Sequence, residues 1–236
     1  MTRELFREDG YLRRCAATVV AVVDSGIVLD ATVFYAEAGG QPGDTGVLRR
    51  ADGSAVVIAD TRKDRDSGAH LHVPVVGSVL PAVGESVDAE IDWDRRHRLM
   101  RMHTGLHLLC AAVAGGVTGG SVGTDRGRLD FDLPDQVLDK DRIEAELNRL
   151  IAEDHPLATR WISDEELAAS PDLVRTMSVR PPAGQGRVRL IEIAGVDLQP
   201  CGGTHVRSTG EVGRVRVGKI EKKGRHNRRV NLLFED

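Results

Sequence analysis

The sequence predicts an α+β fold, with a small β-barrel over residues 1–93 followed by an α+β domain over residues 94–236. Between residues 12 and 92, short Val- and Ile-rich runs alternate with turn signals, which is typical of a small barrel. From Asp94 onwards apolar residues recur at helical spacing, and strand-like segments return only later in the chain. With 236 residues and 41% apolar composition, the chain is able to form two packed domains of this size.

The predicted barrel strands are short runs that are rich in β-branched residues or alternate between apolar and polar residues. Asp24-Ser25 separates the first two runs and predicts a hairpin turn, and Asp52-Gly53 predicts a second one. The strands are expected at residues 18–23, 26–35, 47–58 (as one hairpin), 70–73 and 86–91.

The second predicted domain begins with helices and ends with strands. A helix is expected over residues 94–114, with Asp94 as its N-cap and Gly115-Gly116 as its end. Another is expected over residues 140–153, whose apolar residues share one face, and Ser163 begins a capping box that opens a short helix. Strands are expected at residues 188–193, 213–220 and 230–234, the last two as a closing hairpin.

Two couples of metal-ligand residues lie nearly a hundred residues apart. His103 and His107 are four residues apart in the first predicted helix, so their imidazoles share one face. Cys201 and His205 flank a Gly-Gly-Thr run, and three imidazoles with one thiolate suit a tetrahedral zinc ion. The alternative for the helical couple is a pair of polar residues hydrogen-bonded on a half-buried face. No carboxylate separates the two histidines and no Cys-x-x-Cys occurs, which excludes zincins and zinc ribbons.

The charge of the chain is unevenly distributed. The net charge is −4, but residues 207–229 carry nine Lys or Arg residues against two Glu residues. Such a segment is able to contact a phosphate backbone. The alternative is a solvated outer face of paired strands.

Cysteine usage and hydropathy favour a cytoplasmic protein. Cys15, Cys110 and Cys201 cannot form a complete disulfide framework, which fits a reducing compartment. The charged start of the chain lacks the apolar run of a signal peptide. No stretch approaches the roughly 20 apolar residues of a membrane helix, so we expect no membrane partner.

Several motifs resemble one family. Residues 103–109 (HTGLHLL) and 201–205 (CGGTH) resemble the editing domain of alanyl-tRNA synthetase and its freestanding relatives, the AlaX proteins. Residues 34–46, which contain Gly39-Gly40-Gln41, look like the glycine-rich motif of that family. The opening of the chain and residues 91–94 fit its medium-length branch, so the resemblance covers nearly the whole chain.

The resemblance implies a fold and a reaction. The first domain would be a translation-factor-like barrel, and the second the editing domain shared by threonyl- and alanyl-tRNA synthetases. The implied activity is zinc-dependent trans-editing, in which seryl-tRNA(Ala) is hydrolysed, with glycyl-tRNA(Ala) as a further candidate. The implied partner is the acceptor end of tRNA(Ala), and one Zn²⁺ per chain is expected. The oligomeric state is left open, and a monomer is compatible with the sequence.

Site residues follow by matching the motifs of the family. Thr32 corresponds to the residue that reads the serine hydroxyl, although an ordinary strand residue is the alternative. The glycine-rich run is expected to line the substrate pocket, although a plain tight turn is the alternative. Cys201 is expected to act in catalysis as well as in metal binding, because substrate or water could compete near it. The remaining expected contacts are to substrate, at Gly39, Gly40, Gln41 and Ser121, and to tRNA, at Lys222, Lys223, Arg225, Arg228 and Arg229.

Two other functions fit the same residues. Four closed ligands could hold the fold of a zinc-stabilised, non-catalytic tRNA-binding module. An enzyme with this site could instead edit threonyl-tRNA or act as a general esterase. The zinc itself would activate water if three protein ligands held it, and would position substrate if four did.

Overall fold

The computed structural model describes residues 2–134, 136–174 and 186–235. It divides into two compact units, Met1–His97 and Arg98–Asp236. The expected domain bounds, 1–93 and 94–236, stay a prediction. The predicted α+β class, with a closed barrel and a mixed second part, is confirmed.

The secondary structure of the described residues comprises strands and three α-helices. The strands are β1 (Arg3–Glu4), β2 (Arg14–Val23), β3 (Gly26–Leu29), β4 (Ala31–Thr32), β5 (Gly46–Arg50), β6 (Ala55–Lys63), β7 (His70–Pro74), β8 (Ser86–Ile91), β9 (Gly116–Ser121), β10 (Arg126–Asp132), β11 (Leu157–Ser163), β12 (Arg187–Ile193), β13 (Asp197–Pro200), β14 (Val215–Lys223) and β15 (Asn227–Phe234). The helices are α1 (Trp93–Ala112), α2 (Lys140–Ala152) and α3 (Asp164–Ala168), with 3-10 turns at Leu5–Arg7, Pro171–Leu173 and Thr209–Val212.

The first unit is a closed antiparallel barrel in the strand order β2-β3-β7-β6-β5-β8. Alternate residues of its strands point inwards and form an aliphatic core that includes Ile27, Leu48 and Ile58. The predicted hairpins and the strands at residues 70–73 and 86–91 are all present. Closure leaves no free edge among these six strands, which is how a small barrel protects its backbone.

The long strand expected at residues 26–35 is wrong beyond Leu29. The Asp30 carboxylate accepts a hydrogen bond from the backbone N–H of Thr18 at 2.7 Å, and the chain then forms the short strand β4. β4 pairs in parallel with β1, outside the barrel ladder. Residues 33–36 stay buried as irregular chain, which explains why their apolar character resembled a strand.

The glycine-rich run forms a tight turn, which was the alternative to a pocket lining in the sequence analysis. Ala38 and Gln41 exchange backbone hydrogen bonds of 3.1 and 2.9 Å across it. Gly39 and Gly40 lie at its tip with φ values of 56° and 82°, the left-handed region that residues with a Cβ rarely adopt. Two consecutive positive φ values at the tip are the requirement of a type I′ turn.

Helix α1 begins and ends earlier than expected. Its N-cap is Asp92 rather than Asp94, because the Asp92 carboxylate accepts from the backbone N–H of Arg95 at 3.1 Å. Asp94 lies within the first turn, where its negative charge still interacts favourably with the helix dipole. The helix ends at Ala112, and Gly116 starts strand β9.

The second unit contains a four-stranded sheet in the order β14-β15-β10-β9. Helix α1 packs closely on it at Gly105, where a Cβ would stand 3.0 Å from Cδ2 of Leu232. Helix α2 covers the edge strand β14, because the Asn148 side chain donates to the carbonyl of Val215 at 2.8 Å and accepts from its N–H at 3.1 Å. The predicted helix at residues 140–153, the closing hairpin and the Ser163 capping box are confirmed.

A separate three-stranded sheet, in the order β11-β12-β13, carries the chain towards Cys201. Only β12 was expected there. Strand β11 is mostly exposed, so its sequence lacks the apolar alternation that signals a strand. Within the described ranges, no helix combines the length and the apolar character needed to cross a membrane.

Candidate metal centre

Four side chains from distant parts of the second unit converge on one point. His103 and His107 come from one face of α1, and Cys201 and His205 come from the loop after β13. Their candidate ligand atoms all lie within 4.8 Å of one another. Cys201 Sγ is 3.5 Å from His103 Nε2 and 3.3 Å from His205 Nε2.

This donor set fits zinc. A tetrahedral ion with ordinary zinc–sulfur and zinc–nitrogen bonds holds sulfur and nitrogen about 3.5 Å apart. The two measured sulfur–nitrogen distances, 3.5 and 3.3 Å, match that spacing. The cluster also lacks a carboxylate, and soft sulfur with imidazole nitrogen favours zinc-type ions over magnesium or calcium.

Burial favours the neutral form of two of the imidazoles, the form that a metal ligand requires. It lowers the pKa of His103 to about 4, with the positive charge of Arg189 adding to the effect. Burial also places the pKa of His205 well below its ordinary value, with smaller effects from His103, His107 and Arg189. A neutral imidazole offers a free lone pair, so the protein part of this site does not have to lose protons from these histidines to bind a cation.

The Cys201 thiol behaves differently from the histidines. Burial raises its pKa, although the N–H of Gly203 and the charge of Arg189 act in the opposite direction. The Gly203 N–H donates to Sγ at 3.4 Å. Cys201 is the one partly exposed residue of the four.

His107 is oriented by polar residues of β13. Its Nδ1 lies 3.1 Å from Gln199 Nε2 and 3.8 Å from the carboxylate of Asp197. Gln199 also donates to that carboxylate at 2.6 Å. Because Nδ1 lies on this side, Nε2 is the nitrogen of His107 that faces the cluster. To bind a metal through Nε2, the ring must carry its proton on Nδ1, where the carboxylate of Asp197 is the nearby acceptor.

His205 is oriented from α1 itself. Its Nδ1 lies 3.2 Å from the hydroxyl of Thr104, which also accepts from the backbone N–H of Val206 at 3.3 Å. Thr104 stands between the two histidines of the helix, and it is fully buried. It therefore ties the Cys201–His205 loop to the helix that carries the other two ligands.

A buried arginine holds the loop from the other side. Arg189 of β12 donates to the carbonyls of Cys201 and Gly203 at 3.0 and 2.8 Å. The backbone N–H of Cys201 in turn donates to the carbonyl of Arg189 at 3.1 Å. These bonds fix the glycine-containing segment between the two loop ligands.

The substrate-reading residues expected in the barrel belong to the first unit. Thr32 is fully buried on β4, and its hydroxyl lies 2.8 Å from Nε2 of His72. Gly39 and Gly40 are exposed at the tip of their turn, whereas Gln41 is buried. In the second unit, Ser121 is exposed at the end of β9, opposite Arg128 of β10. Substrate contact by these residues stays a prediction.

The five basic residues expected to contact tRNA fall into two groups. Lys222, Lys223 and Arg225 are exposed at the turn between β14 and β15. Arg228 is buried and donates to the carbonyls of Pro134 and Gln136, and Arg229 pairs with both oxygens of Asp130. The second group therefore stabilises the sheet and its connection, in addition to any role towards tRNA.

Four residues that support the metal ligands were not predicted from the sequence: Thr104, Arg189, Asp197 and Gln199. A signal for the last two was present. Asp197 and Gln199 are the buried positions of β13 while Leu198 between them is more exposed, which reverses the usual alternation. Buried polar residues at alternate positions just before Cys201 indicate that their side chains line a polar site. No comparable local pattern marks Thr104 or Arg189.

Two family models match parts of the chain. One described as "tRNA synthetases class II (A)" matches residues 10–95, which form the barrel and the start of α1. One described as "Threonyl and Alanyl tRNA synthetase second additional domain" matches residues 188–231, which include Cys201 and His205.

Curated relatives match the chain over its full length. An alanyl-tRNA editing protein AlaX-M of Methanosarcina acetivorans is 37% identical over 247 residues, covering 100% of both chains. One of Saccharolobus solfataricus is 33% identical over 236 residues, covering 98% of each. An alanine–tRNA ligase of Pyrobaculum calidifontis is 36% identical over 237 residues, which is 94% of this chain but 25% of the ligase. Since relatives of this similarity align from end to end, the chain belongs to the AlaX-M family of alanyl-tRNA editing proteins.

Proposed function

We propose that this protein is a cytoplasmic trans-editing hydrolase that removes serine from mischarged tRNA(Ala), with glycyl-tRNA(Ala) as a second candidate substrate. We further propose that the reaction requires zinc held by His103, His107, Cys201 and His205. The single observation that carries the proposal is the convergence of these four ligands in a chain of the alanyl-tRNA editing family.

The chemistry explains why such an enzyme is needed. Serine is alanine with an added hydroxyl, and an apolar activation pocket rejects such an analogue by only about a hundredfold. An editing site has the easier task, because it can require the hydroxyl. A buried group that expects the hydroxyl is left unpaired by alanine, at a cost of about 1–3 kcal/mol.

The residues of the chain have separate tasks in this proposal. When bound, zinc would supply a Lewis acid next to the ester that is to be cleaved. Gln199 and Thr104 hold His107 and His205 in place, and Arg189 fixes the loop that carries Cys201. Cys201 is the partly exposed residue among the four ligands, so substrate would approach the cluster from its side. Thr32 supplies the hydroxyl-reading contact.

The decisive experiment compares Ser-tRNA(Ala) with Ala-tRNA(Ala). Deacylation is followed with the native protein, after removal of metal by a chelator, and after zinc is added back. We expect loss of serine alone, no activity above the spontaneous rate after stripping, and recovery with zinc. Equal spontaneous decay of both substrates with native protein would favour the non-catalytic tRNA-binding module. Faster release of threonine than of serine from their tRNAs would favour the other editing activity.

A pair of cysteine variants tests the role of Cys201. Cys201→Ala is expected to abolish deacylation, whereas Cys15→Ala, in a partly buried strand position of the barrel, should retain it. Zinc content is measured for both. Full activity of Cys201→Ala with a full zinc load would remove Cys201 from the mechanism.

A further inference from the structure

An exposed tryptophan lies at the edge of the sheet that leads to Cys201. Trp161 belongs to the edge strand β11 and is 42% exposed. Among the exposed large apolar side chains of the described ranges, it is the one aromatic side chain. The other tryptophan of the chain, Trp93, is partly buried and stacks on His97, with the ring centroids 5.4 Å apart. Trp161 therefore presents aromatic surface to solvent.

Trp161 shares a face of its sheet with the arginine that holds the metal loop. Residues directly opposite each other in an antiparallel ladder point to the same face. Trp161 is opposite Arg189, whose guanidinium donates to the carbonyl of Cys201 at 3.0 Å. The same guanidinium lies 3.3 Å from the hydroxyl of Thr159, which is two residues before Trp161 and hence on the same face. The indole and the arginine of the metal loop are therefore neighbours on one face.

The register of the sheet gives the distance between Trp161 and the metal loop. The N–H of Cys201 donates to the carbonyl of Arg189 at 3.1 Å, so Cys201 lies on the other side of Arg189 from Trp161. Neighbouring strands lie about 4.8 Å apart, which places the backbones of Trp161 and Cys201 about 10 Å apart. A nucleoside has a similar length between its ribose hydroxyls and the far edge of its base. A nucleoside ester held at the metal cluster therefore has its base within reach of the indole.

Arg187 holds the indole of Trp161 from one side. Its guanidinium carbon lies 4.9 Å from the centroid of the Trp161 ring, and its own side chain is exposed. A planar guanidinium stacked on an aromatic face fixes the orientation of the ring. Among the residues that the structure describes, no second ring or cation stacks on Trp161. A stacking partner for the opposite face of the indole must therefore come from outside this part of the chain.

We propose that Trp161, supported by Arg187, is the stacking platform for the terminal nucleobase of the tRNA, whose ribose carries the aminoacyl ester. This inference rests on the proposed editing of aminoacyl-tRNA. An unpaired base stacks on an aromatic side chain through its π-face, so the contact does not depend on which amino acid is attached. Trp161 binds the nucleoside part of the substrate and takes no part in the cleavage of the ester.

The first test measures stacking without using activity. Trp93→Phe leaves Trp161 as the single tryptophan of the chain, so the indole fluorescence reports on this position alone. The probe is an adenosine analogue in which serine is joined to the ribose through a stable amide instead of the ester. We expect it to quench the fluorescence of the zinc-loaded protein with saturation, whereas serinamide, which has no base, should cause no quenching. Unchanged fluorescence with the adenosine analogue, whether it binds or not, would overturn the inference.

The second test uses variants of the tryptophan and calorimetric titration with the same analogue. Trp161→Val keeps a β-branched residue in the strand but removes the ring, so affinity for the analogue should fall about tenfold. Trp161→Phe keeps a smaller ring and should restore most of the affinity. Val137→Ala changes an apolar side chain that is 96% exposed elsewhere in the second unit, and it should bind as the native protein does. With seryl-tRNA as substrate, Trp161→Val should lower kcat/KM by a similar factor, whereas hydrolysis of serine methyl ester, which has no base, should not change.

The outcomes separate this inference from the proposed function. If Trp161→Val folds, binds zinc and keeps the native affinity for the analogue, the platform is refuted. If the native protein does not hydrolyse Ser-tRNA(Ala), the proposed function fails, while the quenching experiment still judges the platform by itself. A native dimer that Trp161→Val dissociates, together with no quenching, would assign the indole to a contact between two copies of the chain and overturn the inference. Should Trp161→Val not fold, the quenching experiment on Trp93→Phe decides.

Discussion

At the scale of single residues, a contact at Nδ1 sets the orientation of three buried imidazoles. Thr104 engages Nδ1 of His205, Gln199 engages Nδ1 of His107, and Ile27 engages Nδ1 of His72. In each ring this directs Nε2 towards its task. The ligands themselves were predictable, because their residue types and spacing are visible in the chain. The pairing of each ring with its supporting partner was not predictable, since all three partners lie 45 to 101 residues away along the chain.

Gln199 provides a test of such support. Replacing it by Leu removes the group that orients His107, so we expect zinc affinity to fall by about ten- to a hundredfold. Affinity is measured by competition with a chromophoric chelator. Gln136→Leu, at an exposed side chain, is the matched control and should keep native affinity. Native affinity in Gln199→Leu would show that the ring of His107 is held by packing alone.

His72 also links stability to pH. Its folded pKa of about 3 lies below the ordinary value of 6.5, so the unfolded chain takes up a proton that the folded one does not. Stability from this group is complete above about pH 6.5 and is lost as pH falls towards 3. Between pH 7 and pH 4.5 the loss is about 2.5 kcal/mol, at roughly 1.4 kcal/mol per pKa unit.

Denaturant unfolding of the zinc-loaded protein at pH 7 and pH 4.5 measures this effect. His72→Gln should lose about 2.5 kcal/mol less than the native protein between the two conditions, because glutamine does not titrate. An unchanged slope in His72→Gln would mean that His72 does not stay neutral in the fold.

At the scale of secondary-structure elements, predictability followed the strength of the pattern. Helix α2 and the closing hairpin present a clear apolar face, and both were located from sequence. Strand β11 faces solvent and β9 is glycine-rich, so neither carries the alternation that burial imposes. The run at residues 26–35 shows the opposite error, because irregular chain can be as buried as a strand.

The identity of the N-cap of α1 can be tested by mutation. Asp92 accepts from the N–H of Arg95, so Asp92→Ala should reduce the free energy of unfolding by about 1 kcal/mol. Asp94→Ala should cost only a few tenths, as expected for a charge near the helix dipole. Urea unfolding of both variants compares the two positions. A larger loss of unfolding free energy in Asp94→Ala than in Asp92→Ala would identify Asp94 as the N-cap.

At the scale of the whole molecule, the proposed function requires a protein of negative net charge to bind a polyanion. The net charge of −4 offers no general attraction to tRNA, so local basic groups must supply it. Of the basic residues near the β14–β15 turn, Arg228 and Arg229 already bond to the protein itself. Reversing their charge would disturb the sheet, and weaker tRNA binding would then say little about contact.

The exposed residues of that turn give a cleaner prediction. Lys222→Glu with Arg225→Glu should weaken tRNA binding about tenfold at low salt and reduce the slope of log affinity against log salt by about 1–2. Lys140→Glu with Arg142→Glu makes the same change in charge at exposed positions of α2 and should have a much smaller effect. Filter binding across a salt series provides both quantities. Because total charge changes equally in the two variants, a difference between them reports where tRNA lies. Equal weakening would mean that the phosphate backbone senses only the overall charge, and the turn would then have no place in the interface.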